Sequence, residues 1–209
     1  MPAQPAPTGH EVRLLRTTEL RVIDDGKGKR TIQGYAAVYN SPSEVLGGWF
    51  IETIRAGAFT EALKRSDVRC LFNHDANFIF GRAKAGTLRL TEDSRGLRME
   101  CDLPDTQAAR DLALSIQRGD VDGQSFSFTT KKDRWTFNND PDTPSERELL
   151  EVDELFDVGP VVYPAYSDTS VGMRSRDLNR EIFERARREA GADRPRSLRA
   201  SIAIAEAEL

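Results

Sequence analysis

Apolar and polar residues alternate with a period of two along most of the first two thirds of the chain, the pattern of strands with one buried face. Between residues 11 and 23, Val12, Leu14, Leu20 and Val22 alternate with charged positions. Asp24-Asp25-Gly26-Lys27-Gly28 carries hairpin-turn chemistry, and residues 31–39 read as the next strand. Residues 50–54 form a short strand, and residues 57–65 a short helix with Phe59, Ala62 and Leu63 at spacings of three and four. Residues 68–73 make another strand, which delivers His74-Asp75 to its end. Residues 87–91 and 97–103 alternate on either side of the turn Asp93-Ser94-Arg95-Gly96.

The strongest helix signal follows Pro104-Asp105-Thr106. Asp105 is the expected N-cap, Ala109, Leu112, Ala113 and Ile116 form one apolar stripe, and Gly119 is the stop. Residues 123–130 return to strand, 138–145 form a polar loop, and 147–162 supply one or two strands with Pro160 at an edge, bulge or strand end. The fold class is therefore mainly β with flanking α-helices. A Pro-rich leader over 1–10 is expected to be disordered, one domain is expected over 11–174, and a charged helical tail over 175–209. From Arg174 to Arg199 nine arginines stand against five acidic residues, so this tail is locally basic and is expected to extend outside the core.

Composition narrows the function classes. The chain has 209 residues and net charge −4, enough for one core and unlike a dedicated nucleic-acid binder. Its apolar runs fall far short of the roughly 20 residues of a bilayer span, and the leader lacks the layout of a secretory signal. Cys70 and Cys101 lie in apolar strand-like runs without metal spacing, as reduced core residues of a cytoplasmic protein would. No zinc-binding or phosphate-loop pattern occurs, so neither metal nor cofactor is expected.

The chemistry centres on Gly123-Gln124-Ser125-Phe126-Ser127-Phe128. Alternation sends Phe126 and Phe128 to a buried face and sets Ser125 and Ser127 together on the other, with Gly123 leaving room for something to approach the backbone. Only two histidines exist; His10 belongs to the leader, which leaves His74 as the one dependable imidazole base. A serine nucleophile also needs a group that fixes the imidazole. Glu151, Asp153, Glu154 and Asp157 are the nearby candidates; Asp157, inside the apolar run Leu155-Phe156-Asp157-Val158, is the one that most requires a partner, and Asp75 is disfavoured because strand neighbours face opposite ways. The serine segment lacks the second glycine of the α/β-hydrolase elbow.

Five segments occur in one order: Gly34-Tyr35-Ala36-Ala37-Val38-Tyr39-Asn40, Ile54-Arg55-Ala56-Gly57-Ala58-Phe59, Phe72-Asn73-His74-Asp75, residues 119–128, and residues 155–166. Together they resemble the prohead protease family of tailed bacteriophages, the capsid-maturation serine proteases. That resemblance spans residues 11–174 and implies a fold similar to the herpesvirus assemblins, a mostly antiparallel β-barrel flanked by helices. It implies a serine endopeptidase with Ser125 as nucleophile and His74 as base. Asp157 is assigned as orienter, in a position where the family often carries an acidic residue before valine. The family commonly has glycine where Ser127 stands, so a second hydroxyl shares the face. The implied substrates are scaffold, the major capsid protein precursor and the enzyme itself. The implied place is the assembling prohead in the bacterial host cytoplasm, with no membrane, no specific nucleic acid, no cofactor, and a homo-oligomer left open. Two other classes compete: a non-catalytic capsid- or scaffold-associated β-barrel, and a hydrolase of small esters.

Overall fold

The computed structural model describes residues 10–16, 19–138, 140, 143–162 and 170–191. Among these residues ten strands form two sheets. The larger contains β1 (Glu11–Arg16), β9 (Gly123–Thr136), β10 (Ser145–Val161), β5 (Arg69–Phe72) and β6 (Asp75–Arg82) in that order, with β4 (Phe50–Ile54) also paired to β10. The smaller has the order β2 (Arg21–Asp24), β3 (Arg30–Val38), β8 (Gly96–Asp102), β7 (Leu88–Glu92). The helices are α1 (Thr60–Arg65), α2 (Gln107–Arg118) and α3 (Ser170–Glu189). The protein is mainly β, and most pairings are antiparallel. Among the described residues no ladder closes the two sheets into a barrel. Nor is any described helix long and apolar enough to cross a membrane.

Strand β10 is the spine of the larger sheet. It pairs antiparallel with β9 along nearly its whole length, and on its other edge takes β4 and then β5, both in parallel. Pro160 lies next to its last residue, where Gln124 is its cross-strand partner. Four register shifts interrupt the β9–β10 ladder, the last between Leu155 and Asp157. Phe126, Phe128, Leu155 and Val158 from this sheet share one core with Ile32, Ala36, Leu97 and Met99 from the smaller sheet. Phe126 stacks with Phe128 and meets Phe59 edge-on, so the serine strand is clamped through its aromatic face.

Several local expectations need correction. The stretch 11–23 is two strands in different sheets: β1 pairs with β9, and β2 with β3. Helix α2 is capped by Thr106, whose hydroxyl accepts the Ala109 N–H, rather than by Asp105. The side chain of Asp105 instead pairs with Arg110. Helix α3 is not an appendage: Ile182 and Phe183 are buried, and Phe183 packs among Trp49, Phe50, Trp135 and Phe137. Four aromatic neighbours give it a hydrophobic incentive that its Arg-rich surroundings hide in the sequence. The leader over 1–9 and the tail over 192–209 lie outside the described residues.

Charged residues also enter the interior. Arg13 donates to Glu52 from Nε at 2.7 Å and to Glu11 from Nη2 at 2.6 Å. Arg147 donates from Nη1 to Glu11 at 2.5 Å and to Glu52 at 2.9 Å, and from Nε to Asp133 at 2.8 Å. The cluster joins β1, β4, β9 and β10. Removing one partner from such a network leaves the others buried and uncompensated, at a cost of about 3–5 kcal/mol. Burial pushes the Glu11 carboxyl up, but the Arg13 and Arg147 guanidiniums outweigh it and hold the pKa at about 2, below the ordinary 4.5.

Two predictions follow from this cluster. Arg147→Met is expected to lower unfolding free energy by about 3–5 kcal/mol, read from the urea midpoint at constant slope. Because the folded-state pKa of Glu11 is depressed, its contribution is complete above about pH 4.5 and disappears as pH falls towards 2. Urea midpoints measured across that window should therefore fall less steeply for Glu11→Gln than for the parent.

Candidate active site

The β9–β10 register writes the site as two adjacent cross-strand pairs. Ser125 stands opposite Gly159, and Ser127 opposite Asp157. The shift between Leu155 and Asp157 gives β10 its extra residue at this point, so Asp157 is brought to the serine face although Leu155 remains in the core. A side chain at position 159 would obstruct the neighbouring strand: a Cβ there would lie 1.9 Å from the Leu71 carbonyl oxygen. Glycine lets β5 close on β10, and the turn that follows β5 holds the histidine. The room left by Gly123 has a different occupant from the one expected, because it is the Val161 backbone that a Cβ there would meet, at 3.0 Å.

His74 sits at the tip of the β5–β6 hairpin. Phe72 pairs with Asp75, so Asn73 and His74 are the two central residues of the turn, with φ of 53° and 57°. Positive φ at both positions is the mark of a type I′ hairpin, whose second site is normally glycine. A histidine held there is strained backbone at a chemically active residue. Asn73 fastens the turn to the end of β10: its N–H donates to the Pro160 carbonyl at 3.1 Å, and its Oδ1 accepts the Val162 N–H at 3.0 Å.

These placements bring Ser125, His74 and Asp157 into one hydrogen-bonded line. His74 Nδ1 lies 2.6 Å from Asp157 Oδ1, and His74 Nε2 lies 2.6 Å from Ser125 Oγ. An ionised carboxylate only accepts, so the Nδ1–H tautomer is the one that satisfies the pair, leaving the Nε2 lone pair on Ser125. Ser125 Oγ also lies 2.9 Å from the Arg13 carbonyl oxygen. The hydroxyl has one proton and two acceptors. A neutral His74 can take it, whereas a protonated His74 donates to Oγ and turns the hydroxyl towards Arg13. Ser125, Ser127 and Asp157 are all buried, and the His74 side chain is 20% exposed.

The other carboxylates weighed from the sequence go elsewhere. Glu151 pairs with Lys131, Asp153 with Arg65, and Asp75 accepts the Asn77 N–H. Glu154 pairs across the ladder with Thr129, and its N–H donates to the Thr129 hydroxyl at 3.2 Å. His10 is a correction. Expected in a mobile leader, it packs its ring 4.5 Å from Phe156 because β1 begins at the next residue and ties it to the sheet. Both of its ring nitrogens are buried without a hydrogen-bond partner. Burial pushes its pKa below the ordinary value, against the opposing field of Asp157, so it is neutral at neutral pH. Asn73 and Gly159 were missed at the sequence level. The only signals were an asparagine beside the histidine at a strand end and a Gly-Pro step inside a strand.

The chain is similar to known proteins. Residues 16–181 match the family model described as caudovirus prohead serine protease. The chain is 30% identical over 165 residues to the prohead protease of Enterobacteria phage HK97, covering 77% of this chain and 67% of that protein. Among solved structures it is similar to the bacteriophage T4 capsid assembly protease. The TM-score there is 0.48 at 13% identity, over 74% of this chain and 99% of that one.

The turn geometry generates a prediction of its own. Asn73→Ala removes the side-chain tie to Val162 and the residue best suited to the first left-handed position. It should lower the rate of Ser125 modification by a fluorophosphonate about tenfold while the thermal midpoint moves by only a few degrees. An unchanged labelling rate would remove Asn73 from the positioning of His74.

Proposed function

The chain belongs to the caudovirus prohead serine protease family and is a serine peptidase, and we propose that Ser125, His74 and Asp157 are its catalytic triad in capsid maturation. The observation that carries this reading is the unbroken line from Asp157 through both nitrogens of one imidazole to Ser125, with 2.6 Å at each His74 contact. Asp157 holds the tautomer with Nε2 free. As Ser125 Oγ attacks the scissile carbonyl, Nε2 takes its proton, and the imidazolium formed is stabilised by the Asp157 carboxylate. Nε2 then gives that proton to the departing amine, leaving an acyl-enzyme on Ser125. Water activated by His74 releases the acid and restores the hydroxyl. Backbone N–H groups stabilise the oxyanion of each tetrahedral intermediate.

The substrates in this reading are scaffold and the major capsid protein precursor inside the assembling prohead of the infected cell, with self-cleavage in the part of the 175–209 segment that follows the packed helix α3. Family membership supports the protein class of substrate, and the basic composition of the tail marks where docking or cleavage would occur. Ser125 is fully buried, so substrate must displace local structure before acylation.

Wild-type protein incubated with capsid precursor should yield fragments by mass spectrometry, and Ser125→Ala none. Loss of C-terminal mass from wild type alone would mark self-cleavage in the tail. Asp157→Asn should reduce kcat by up to ~10⁴ through loss of the tautomer, as in the chymotrypsin-type triad. Undiminished cleavage by that variant would remove Asp157 from the mechanism.

A further inference from the structure

We propose that Ser127 is a positioning residue of this site: its hydroxyl tethers the second oxygen of Asp157, so that the first stays aimed at His74. The proposal rests on the triad reading above. Ser127 Oγ donates to Asp157 Oδ2 through a short, buried contact, while Asp157 Oδ1 faces His74 Nδ1. Among the described residues these are the two side chains that hydrogen-bond to the carboxylate. The terminal torsion of an aspartate is broad and roughly two-fold, so one hydrogen bond leaves the carboxylate free to swing. Bonds to both oxygens fix its plane.

The register explains why the two serines on one face have different tasks. Ser125 looks across at Gly159, over which His74 can settle, and Ser127 looks across at Asp157 itself. A hydroxyl has a single proton. That of Ser127 is committed to a carboxylate, and His74 Nε2, the base, contacts Ser125 instead. Ser127 is 1% exposed, its cross-strand neighbour on the other side being Val12, so its place is set by the sheet and not by solvent.

The test uses the full chain and a fluorophosphonate, which reports serine activation without knowledge of the cleavage site. Ser127→Ala should lower the maximal inactivation rate about tenfold with the reagent's half-saturation unchanged. It should also move or broaden the far-downfield proton resonance of the His74 Nδ1–H, with a cooperative thermal transition retained. Ser127→Thr, which keeps the hydroxyl, should recover most of the rate. Ser127→Cys, close in volume but a weaker donor, should behave like alanine, and serves as the reading where alanine opens a void. Wild-type inactivation and an unmoved resonance in both Ser127→Ala and Ser127→Cys would overturn the proposal and leave the triad standing. Label found on residue 127 in Ser125→Ala, with full rate, would overturn the proposal and the triad reading together.

Discussion

The antiparallel register between β9 and β10 is the constraint on which the site depends. Side chains alternate along each strand, so a slip of one residue would send Ser125 and Ser127 into the core and Phe126 and Phe128 out of it. Two features hold the register. Phe126 and Phe128 are locked by aromatic contacts on the core face. On the opposite face the shift after Leu155 adjusts β10 so that Asp157 and Gly159 arrive opposite Ser127 and Ser125. Hydrophobic packing therefore sets polar geometry on the reverse side of the same two strands.

A second layer supports the first. Strand β1 covers the far edge of β9 and contributes the Arg13 carbonyl to Ser125, yet it is short and its apolar side chains are only half-buried. What fastens it is ionic: Glu11 and Arg13 join Glu52 and Arg147 in a buried cluster. Buried ion pairs are weak contributors to net stability but strict about geometry. Here they would tie the position of a backbone carbonyl beside Ser125 to side chains on three other strands.

Much of the site was legible because period-two alternation is a local property. The split between the serine face and the phenylalanine face, and the delivery of His74 to a strand end, needed only neighbouring residues. What could not be read was long-range. Alternation over 11–23 does not say that β1 and β2 join different sheets. The register shifts blur the period of β10, which hides its 17-residue length. Arg147, at 1% exposure, contradicts the habit of placing charges outside, and its partners from β1, β4 and β9 explain it. Phe183 lies on a helix dense in charge, and its neighbours Trp49 and Trp135 come from segments distant in sequence. The turn at Asn73-His74 was hidden because the common hairpin signal is Asn-Gly.

That turn has an evolutionary consequence. Surface hairpins are usually where chains gain and lose residues most freely. This one measures out the imidazole's location by counting: two residues, both left-handed, between Phe72 and Asp75. Lengthening it by one would change the loop class and rotate the ring off the serine face, even with every side chain of the site retained. The hairpin tip should thus be a place on this surface where insertions and deletions are not tolerated.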